Sequence, residues 1–285
     1  MFLAMRPLAG VIAVALMASM AFANNNNNSA ITSSLNIQAP KKETSRWSGF
    51  VNVSRSTSVN DFKDGSRNDG MDYMGRAIYK ASDNFTLMGQ AGYSQDLKYP
   101  ESDDFSDTSL SLNRRSVEFG KTFLVGYRVG ATAPTSKDSA KRQSLISAVS
   151  TGVNVAINPA RLIPGLAVKG SLSLGRNIHT YETALDGRVN NQYSSSQMLS
   201  VEYEFTSGIT LSSEFVHKNA WTYQGGMRDA FETTQEVGYQ LNSTFAFGLG
   251  HTNSGATLRP NGSDYSTQIY DENTSMFYGS VTVLF

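Results

Sequence analysis

The chain has 285 residues, 24 basic and 24 acidic side chains, 24 Gly and no Cys. That length gives room for one large domain or two ordinary ones, and the even charge balance argues against a nucleic-acid partner, which needs a basic excess. Absence of Cys excludes a disulfide scaffold, a thiolate metal site, a Cys nucleophile and a lipid-modified N-terminal Cys.

Residues 1–23 read as a secretory signal peptide. Arg6 supplies a positive start, Leu8 to Met20 is an apolar run, and Ala21-Phe22-Ala23 is a small-x-small cleavage site. The competing reading is a membrane anchor, but the run falls short of the ~20 residues a spanning helix needs. Five Asn follow, Asn24 to Asn28, within a polar stretch that carries Pro40-Lys41-Lys42. Residues 24–43 are expected to form a flexible periplasmic tail. A plug folded into a lumen is the alternative, and nothing in the sequence favours it. No later stretch is a long apolar helix. An exported chain of this kind can be integral only as a closed barrel, because lipid satisfies no backbone hydrogen bonds.

From Ser45 onward, apolar and polar residues alternate with period two. The first strand has Trp47, Gly49, Val51 and Val53 on one face and Ser48, Asn52 and Ser54 on the other, with Phe50 out of pattern. After a charged loop, Asn60 to Gly70, the second turns Tyr73, Gly75, Ala77 and Tyr79 outward. Ala81 to Asn84 is a tight turn, and the third strand points Phe85, Leu87, Gly89, Ala91 and Tyr93 outward. An acidic loop, Leu97 to Thr108, precedes a fourth strand with Val117 and Phe119 outward and Arg114, Ser116 and Glu118 inward. The fifth carries Val125, Tyr127, Val129 and Ala131 outward. After a polar loop to Arg142, the sixth aligns Leu145 with Val149, Val153, Val155 and Ile157.

A turn with Pro159 and Pro164 leads to a seventh strand, where Leu166, Val168, Gly170, Leu172 and Leu174 face outward. A loop, Glu182 to Gln192, gives way to an eighth with Leu199, Val201, Tyr203 and Phe205 outward. Thr206-Ser207-Gly208 turns into the ninth, with Ile209, Leu211, Ser213 and Phe215 outward. The tenth sets Phe231, Thr233, Val237, Tyr239 and Leu241 outward, the eleventh Phe245, Phe247 and Leu249. A last loop, Asn253 to Asp271, contains Pro260-Asn261-Gly262.

The pattern predicts an all-β, antiparallel up-and-down barrel of about twelve strands over residues 44–285. Connections after odd strands are long and polar, and those after even strands are short, which puts both termini on the short-turn side. Outward aromatics gather near strand ends in two bands. Trp47, Tyr79, Phe85, Phe119, Tyr127, Phe205, Tyr239, Phe245 and Phe285 mark one rim, and Tyr73, Tyr93, Phe231 and Phe277 the other. The closing strand alternates Phe277, Gly279, Val281, Val283 and Phe285 against Tyr278, Ser280, Thr282 and Leu284.

This ending, with its C-terminal Phe, resembles that of bacterial outer-membrane β-barrel proteins. The resemblance covers residues 45–285 and implies a porin-like barrel of a Gram-negative outer membrane, with short periplasmic turns and long extracellular loops. It also implies that Phe277, Val281, Val283 and Phe285 form a signal read by the barrel-assembly machinery. The expected partners are outer-membrane lipids, that machinery and small polar solutes.

On the inward face the charges segregate. Arg76, Lys80, Arg114, Arg128 and Lys169 form a basic wall on strands two to seven. Glu202, Glu204, Glu214, Glu232 and Glu236 form an acidic wall on strands eight to ten, with Glu118 and Lys218 as exceptions. One reading is a narrow wet channel with a transverse field. The other is a closed lumen in which these charges pair and fill space. Twelve-stranded relatives in fold include the nucleoside channel and the acidic-oligosaccharide porins. The acidic wall departs from the latter's basic lumen, so their substrate does not carry over.

An enzymatic role would have to rest on the three His, His179, His217 and His251. They lie near the extracellular ends of strands seven, nine and eleven. Strands that are not neighbours hold His pairs roughly 10 Å apart, too far for a shared metal, so no metal or cofactor is expected. His251-Thr252-Asn253-Ser254-Gly255 faintly resembles the His-x-Ser-Asn-Gly signature of outer-membrane phospholipase A. There His and Ser are two apart on one face. Here Asn253 holds that position and Ser254 has the opposite parity, so no catalytic residue is assigned. A protease would need a carboxylate pairing that one sequence does not show.

Overall fold

The computed structural model describes residues 45–59, 68–258 and 264–285. The signal peptide, the Asn-rich tail, most of the first loop and Pro260-Asn261-Gly262 lie outside the described residues. Fourteen strands follow in order. They are β1 (Trp47–Ser58), β2 (Asp69–Lys80), β3 (Phe85–Asp96), β4 (Asp104–Phe105), β5 (Thr108–Arg114), β6 (Val117–Phe119) and β7 (Phe123–Ala133). Then come β8 (Leu145–Ile157), β9 (Leu166–His179), β10 (Asn191–Glu204), β11 (Ile209–Thr222), β12 (Met227–Gln240), β13 (Phe245–Ala256) and β14 (Ser275–Leu284). Every strand pairs antiparallel with its neighbours. β14 pairs β1, β1 pairs β2 and β2 pairs β3, so the ring closes and no edge is left.

The barrel has twelve wall positions, because β4, β5 and β6 occupy one between them. Two one-residue bulges break that wall strand. Between Phe105 and Ser109 the partners on β3 step from Tyr93 to Gln90, four residues against three. Between Asn113 and Val117 the partners on β7 step from Arg128 to Val125, again four against three. Each extra residue flips side-chain parity beyond it.

The second bulge corrects one sequence expectation. Leu110, Leu112 and Arg114 share the exposed face below the bulge, and Val117 and Phe119 share it above. Arg114 is therefore on the outer surface, where its Cζ stands 5.3 Å from the Tyr127 ring centroid. Replacing Arg114 with Leu is expected to change stability by no more than about 1 kcal/mol and to leave ion selectivity unchanged. Urea unfolding and reversal potentials check this. A large selectivity change would return Arg114 to the lumen.

A further bulge lies at Ile146, between the pairs Leu145↔His179 and Ser147↔Ile178. It buries Leu145 and exposes Ile146, so Leu145 leaves the outward row predicted for it. Phe50, out of pattern in the sequence, faces the lumen, where Arg76 Cζ stands 5.1 Å from its ring centroid.

Elsewhere the predicted parity holds. The outer wall presents Val51, Leu87, Val129, Val153, Leu172, Leu199, Leu211, Val237, Leu249 and Val281 as exposed side chains. Exposed apolar residues in such a band are stable only against lipid. Aromatic pairs mark its edges: Trp47 with Tyr79 at 4.8 Å and Tyr203 with Phe205 at 4.7 Å on the short-turn side, Tyr73 with Tyr93 at 6.1 Å on the other. Tyr193 and Trp221, opposite each other across β10 and β11, extend the second band and were not singled out from sequence. Among the described residues no helix is long and apolar enough to cross a membrane.

Loops on the far side interlock. Lys137 N–H donates to Asp104, Ser136 N–H to Asp107, Leu185 N–H to the Arg142 carbonyl, and Asn190 Nδ2 to the Gln143 carbonyl. Three adjacent connections thereby form one polar rim. The segment 264–274, between β13 and β14, takes another course. It lies against the outer face of β12 and β13, where Asn253 Nδ2 donates to the Gln268 carbonyl at 2.8 Å.

Candidate channel lumen

The inward faces of the strands are lined with Ser, Thr, Asn, Arg, Lys and Glu. Such a lining is what period-two alternation produces when the opposite face meets lipid. Arg76 on β2 and Glu202 on β10 stand six wall positions apart in the ring of twelve, hence on opposite sides. Charged side chains reach a tight layer. Arg76 is 2% exposed, Arg128 4%, Glu202 6% and Glu236 3%, so these charges are packed among neighbouring side chains.

Several of the charges are held by identifiable partners. Arg76 Nε donates to Gln90 Oε1 at 3.0 Å, and its Nη2 shares that oxygen. Lys169 Nζ is 3.8 Å from Glu202 Oε2, across the β9–β10 pair. Lys218 Nζ donates to Glu232 Oε2 at 2.6 Å, across β11–β12. Tyr278 Oη donates to Glu236 Oε2 at 2.6 Å. On the wall nearest the seam, Asn52 Nδ2 donates to Thr282 Oγ1 at 2.7 Å.

Glycines on the inner face let large groups lie flat. A Cβ on Gly152 would come 3.2 Å from Arg128 Nε. One on Gly248 would come 3.2 Å from the Glu236 carboxylate, and one on Gly250 would overlap the Tyr278 ring. Arg128, Glu236 and Tyr278 therefore rest along the wall instead of projecting across it. The small neighbours that allow this are written in the sequence at Gly248 and Gly250.

The predicted walls thus divide into three groups. Arg76, Arg128, Lys169, Glu202, Glu214, Glu232 and Glu236 stand on inward positions, and four of them form the tight layer. Lys80 and Glu204 end their strands at the short-turn rim and are exposed. Lys80 Nζ binds Asp83 at 2.7 Å, and this bond holds the Asp83 carboxyl below the usual carboxylate range. Arg114 faces outward, as the bulge dictates. Lys218, an exception to the two-wall division by sequence, is part of the acidic wall's own pairing. Glu118 lies beside Asn158, whose Nδ2 donates to it at 3.3 Å, at the short-turn rim.

The closing strand carries Phe277, Val281, Val283 and Phe285 on its outer face, all exposed. Phe285 exchanges backbone hydrogen bonds with Gly49, N to O at 2.9 and 3.1 Å. Its ring covers Gly49, where a Cβ would stand 2.9 Å from the ring carbons. The last residue thereby seals the seam.

The three His do not converge. His179 faces inward beside Tyr223, with Nδ1 3.4 Å from the phenol oxygen. His217 and His251 are on the outer face. His251 Nδ1 is 2.9 Å from Gln235 Oε1, and its ring lies against Tyr270 at 5.8 Å. Ser254 falls on the inward side of β13, so imidazole and hydroxyl are separated by the wall.

No family model and no curated protein matches the chain. Solved structures do. An outer membrane channel of Pseudomonas putida F1 matches with TM-score 0.57 at 13% identity, over 84% of this chain and 95% of that one. The NanC porin matches with TM-score 0.55 at 9% identity, over 83% of this chain and 98% of that one. At such identities the likeness is one of fold: a closed, twelve-stranded, antiparallel barrel of the outer-membrane channel and porin kind.

Proposed function

We propose that this chain is a narrow outer-membrane channel through which small polar solutes pass passively, between a basic and an acidic wall. The observation that carries the reading is the inner face itself. Arg76, Arg128, Lys169, Glu202, Glu214, Glu232 and Glu236 would be costly to retain in a lumen filled for stability alone, because pairing buried ions gains little over apolar packing. Their tight layer limits solute size, and their opposed signs orient dipolar solutes as they pass. The fold shared with an outer membrane channel and a porin supports the same reading. In it, residues 1–23 direct export from a Gram-negative cytoplasm, and Phe277, Val281, Val283 and Phe285 address the chain to the barrel-assembly machinery. The work needs no catalytic residue and no cofactor.

A second reading has an observation in its favour. Arg76, Arg128, Glu202 and Glu236 are so little exposed that the layer they form could be shut, leaving the loops to act at the surface. Swelling of proteoliposomes separates the two. A channel makes vesicles swell quickly in isotonic glycine or a pentose and more slowly in a disaccharide. Vesicles that hold folded barrel yet swell no faster than empty ones would overturn the channel.

A further inference from the structure

The outer wall is not uniformly apolar. On β10 to β13, outward positions carry Gln197, His217, Asn219, Asp229, Gln235 and His251. They form networks. His217 Nδ1 is 2.8 Å from Gln197 Oε1 and its Nε2 is 2.6 Å from Asp229 Oδ1. His251 Nδ1 meets Gln235, while its Nε2 is buried without a hydrogen-bond partner. By strand rise and tilt, His251 stands about 15 Å above the periplasmic aromatic band and His217 about 20 Å, inside the ~25 Å apolar belt. Both lie on the membrane side of Tyr193 and Trp221.

One flank of this area is already covered by protein. Segment 264–274 runs over β12 and β13, with Tyr270 on His251 and the Gln268 carbonyl on Asn253. Phe231, Thr233 and Asn253 beneath it are 3%, 6% and 1% exposed. The chain thus shields part of its own polar outer wall from lipid. The other flank, around Gln197, His217, Asn219 and Asp229, is only half-buried and, among the described residues, is covered at one edge alone, where Thr257 Oγ1 donates to Asp229 Oδ1 at 3.0 Å.

We infer that this uncovered flank is an interface with a second copy of this chain, formed in the plane of the membrane. Within the chain Gln197 and His217 are bonded at both polar ends, to Ser195, to each other and to Asp229, which leaves Asn219 Nδ2 and Asp229 Oδ2; lipid chains offer these no hydrogen bond, so a protein surface must supply it. The chemistry selects a copy of itself. Asn219 and Asp229, paired across β11 and β12, present one free amide donor and one free carboxylate acceptor side by side, so the area is complementary to its own twin about a two-fold axis. A phosphorylated lipid headgroup fits poorly, because Asp229 would face its phosphate and the outward cation on β9, Arg176, is turned onto the Tyr193 ring, its Cζ 5.7 Å from the centroid. The inference does not depend on whether the lumen conducts.

The test is the mass of the barrel by light scattering in a mild detergent, with crosslinking in whole outer membranes. The wild-type barrel is expected at the mass of two or more chains, and a photo-crosslinker at Asn219 is expected to join two identical chains. The variant Gln197→Leu with His217→Leu and Asp229→Leu replaces the network by side chains that lipid accepts. It is expected at the mass of one chain, with thermal unfolding no lower than that of wild type measured as a single chain. Should that variant fail to fold, Asn219→Trp blocks close approach while retaining the network, and is expected to lower the mass in the same way. A wild-type barrel of single-chain mass that gives no self-crosslink in membranes would overturn the inference. So would a crosslink only to glycolipid or to a different protein.

Discussion

Gly250→Ala is expected to weaken the barrel by about 3 kcal/mol, a large loss for one methyl group. Two terms combine. The added carbon would overlap the Tyr278 ring, which lies flat on Gly250, and relieving such overpacking costs about 1–3 kcal/mol. The displaced ring also withdraws its hydroxyl from Glu236 Oε2, now 2.6 Å away, leaving a buried carboxylate without that donor, worth about 1–3 kcal/mol. Tyr278→Phe separates the terms, because it keeps the ring seated and removes only the hydroxyl. Its expected loss is the second term alone. Urea unfolding in lipid vesicles, followed by tryptophan fluorescence, measures both. A Gly250→Ala barrel as stable as wild type would mean that Tyr278 does not rest on the wall.

Gly49→Val is expected to do more, and to do it earlier, by preventing closure. Gly49 faces outward on β1, where valine is chemically welcome to lipid. Only shape opposes it. Its Cβ would overlap the Arg76 carbonyl and press within 2.9 Å of the Phe285 ring. A backbone oxygen cannot swing aside as a side chain can, so the cost is at least about 3 kcal/mol at the one seam that completes the ring. Gly75→Ala is the control. It lies on the neighbouring strand, faces the same way and has open space for a Cβ. Electrophoretic mobility without heating distinguishes closed from open barrels. Gly49→Val should run as unfolded chain while Gly75→Ala runs as wild type. Equal mobility of the two would show that the seam does not depend on Phe285 seated over Gly49.

Most of the wall was legible in the chain because a membrane barrel imposes the simplest of patterns. Lipid on one side and water or charge on the other make parity the dominant constraint, and residues such as Val51, Val53, Leu172 and Val237 record it. What parity cannot show is a residue inserted into it. Around Arg115 and Ser116 the sequence runs Asn113-Arg114-Arg115-Ser116, with no apolar side chain to report which way the strand faces, so alternation alone runs straight through the bulge and points Arg114 into the lumen. At Leu145 and Ile146 the reverse happened. Two adjacent apolar residues fit either parity, and the bulge chose Ile146 for the lipid side.

The lumen was legible in the identity of its charges and less so in their height. Lys80 and Glu204 have the inward parity but stand at the ends of their strands, where solvent screens them. The covered outer wall had a signal that could have been read. Thr233, Gln235, His251 and Asn253 occupy outward positions where the pattern calls for apolar residues. Their polarity is the mark of a surface that meets protein, here segment 264–274, and not lipid.

The central claim is that opposed charges at Arg128 and Glu202 border an open path. Single-channel recording of the refolded barrel in a planar bilayer, under a salt gradient, tests it most directly. Discrete conductance steps are expected, with the reversal potential moved toward cations by Arg128→Glu and toward anions by Glu202→Gln. Absence of steps over a wide voltage range from folded protein would contradict the account, as would steps whose selectivity neither substitution moves.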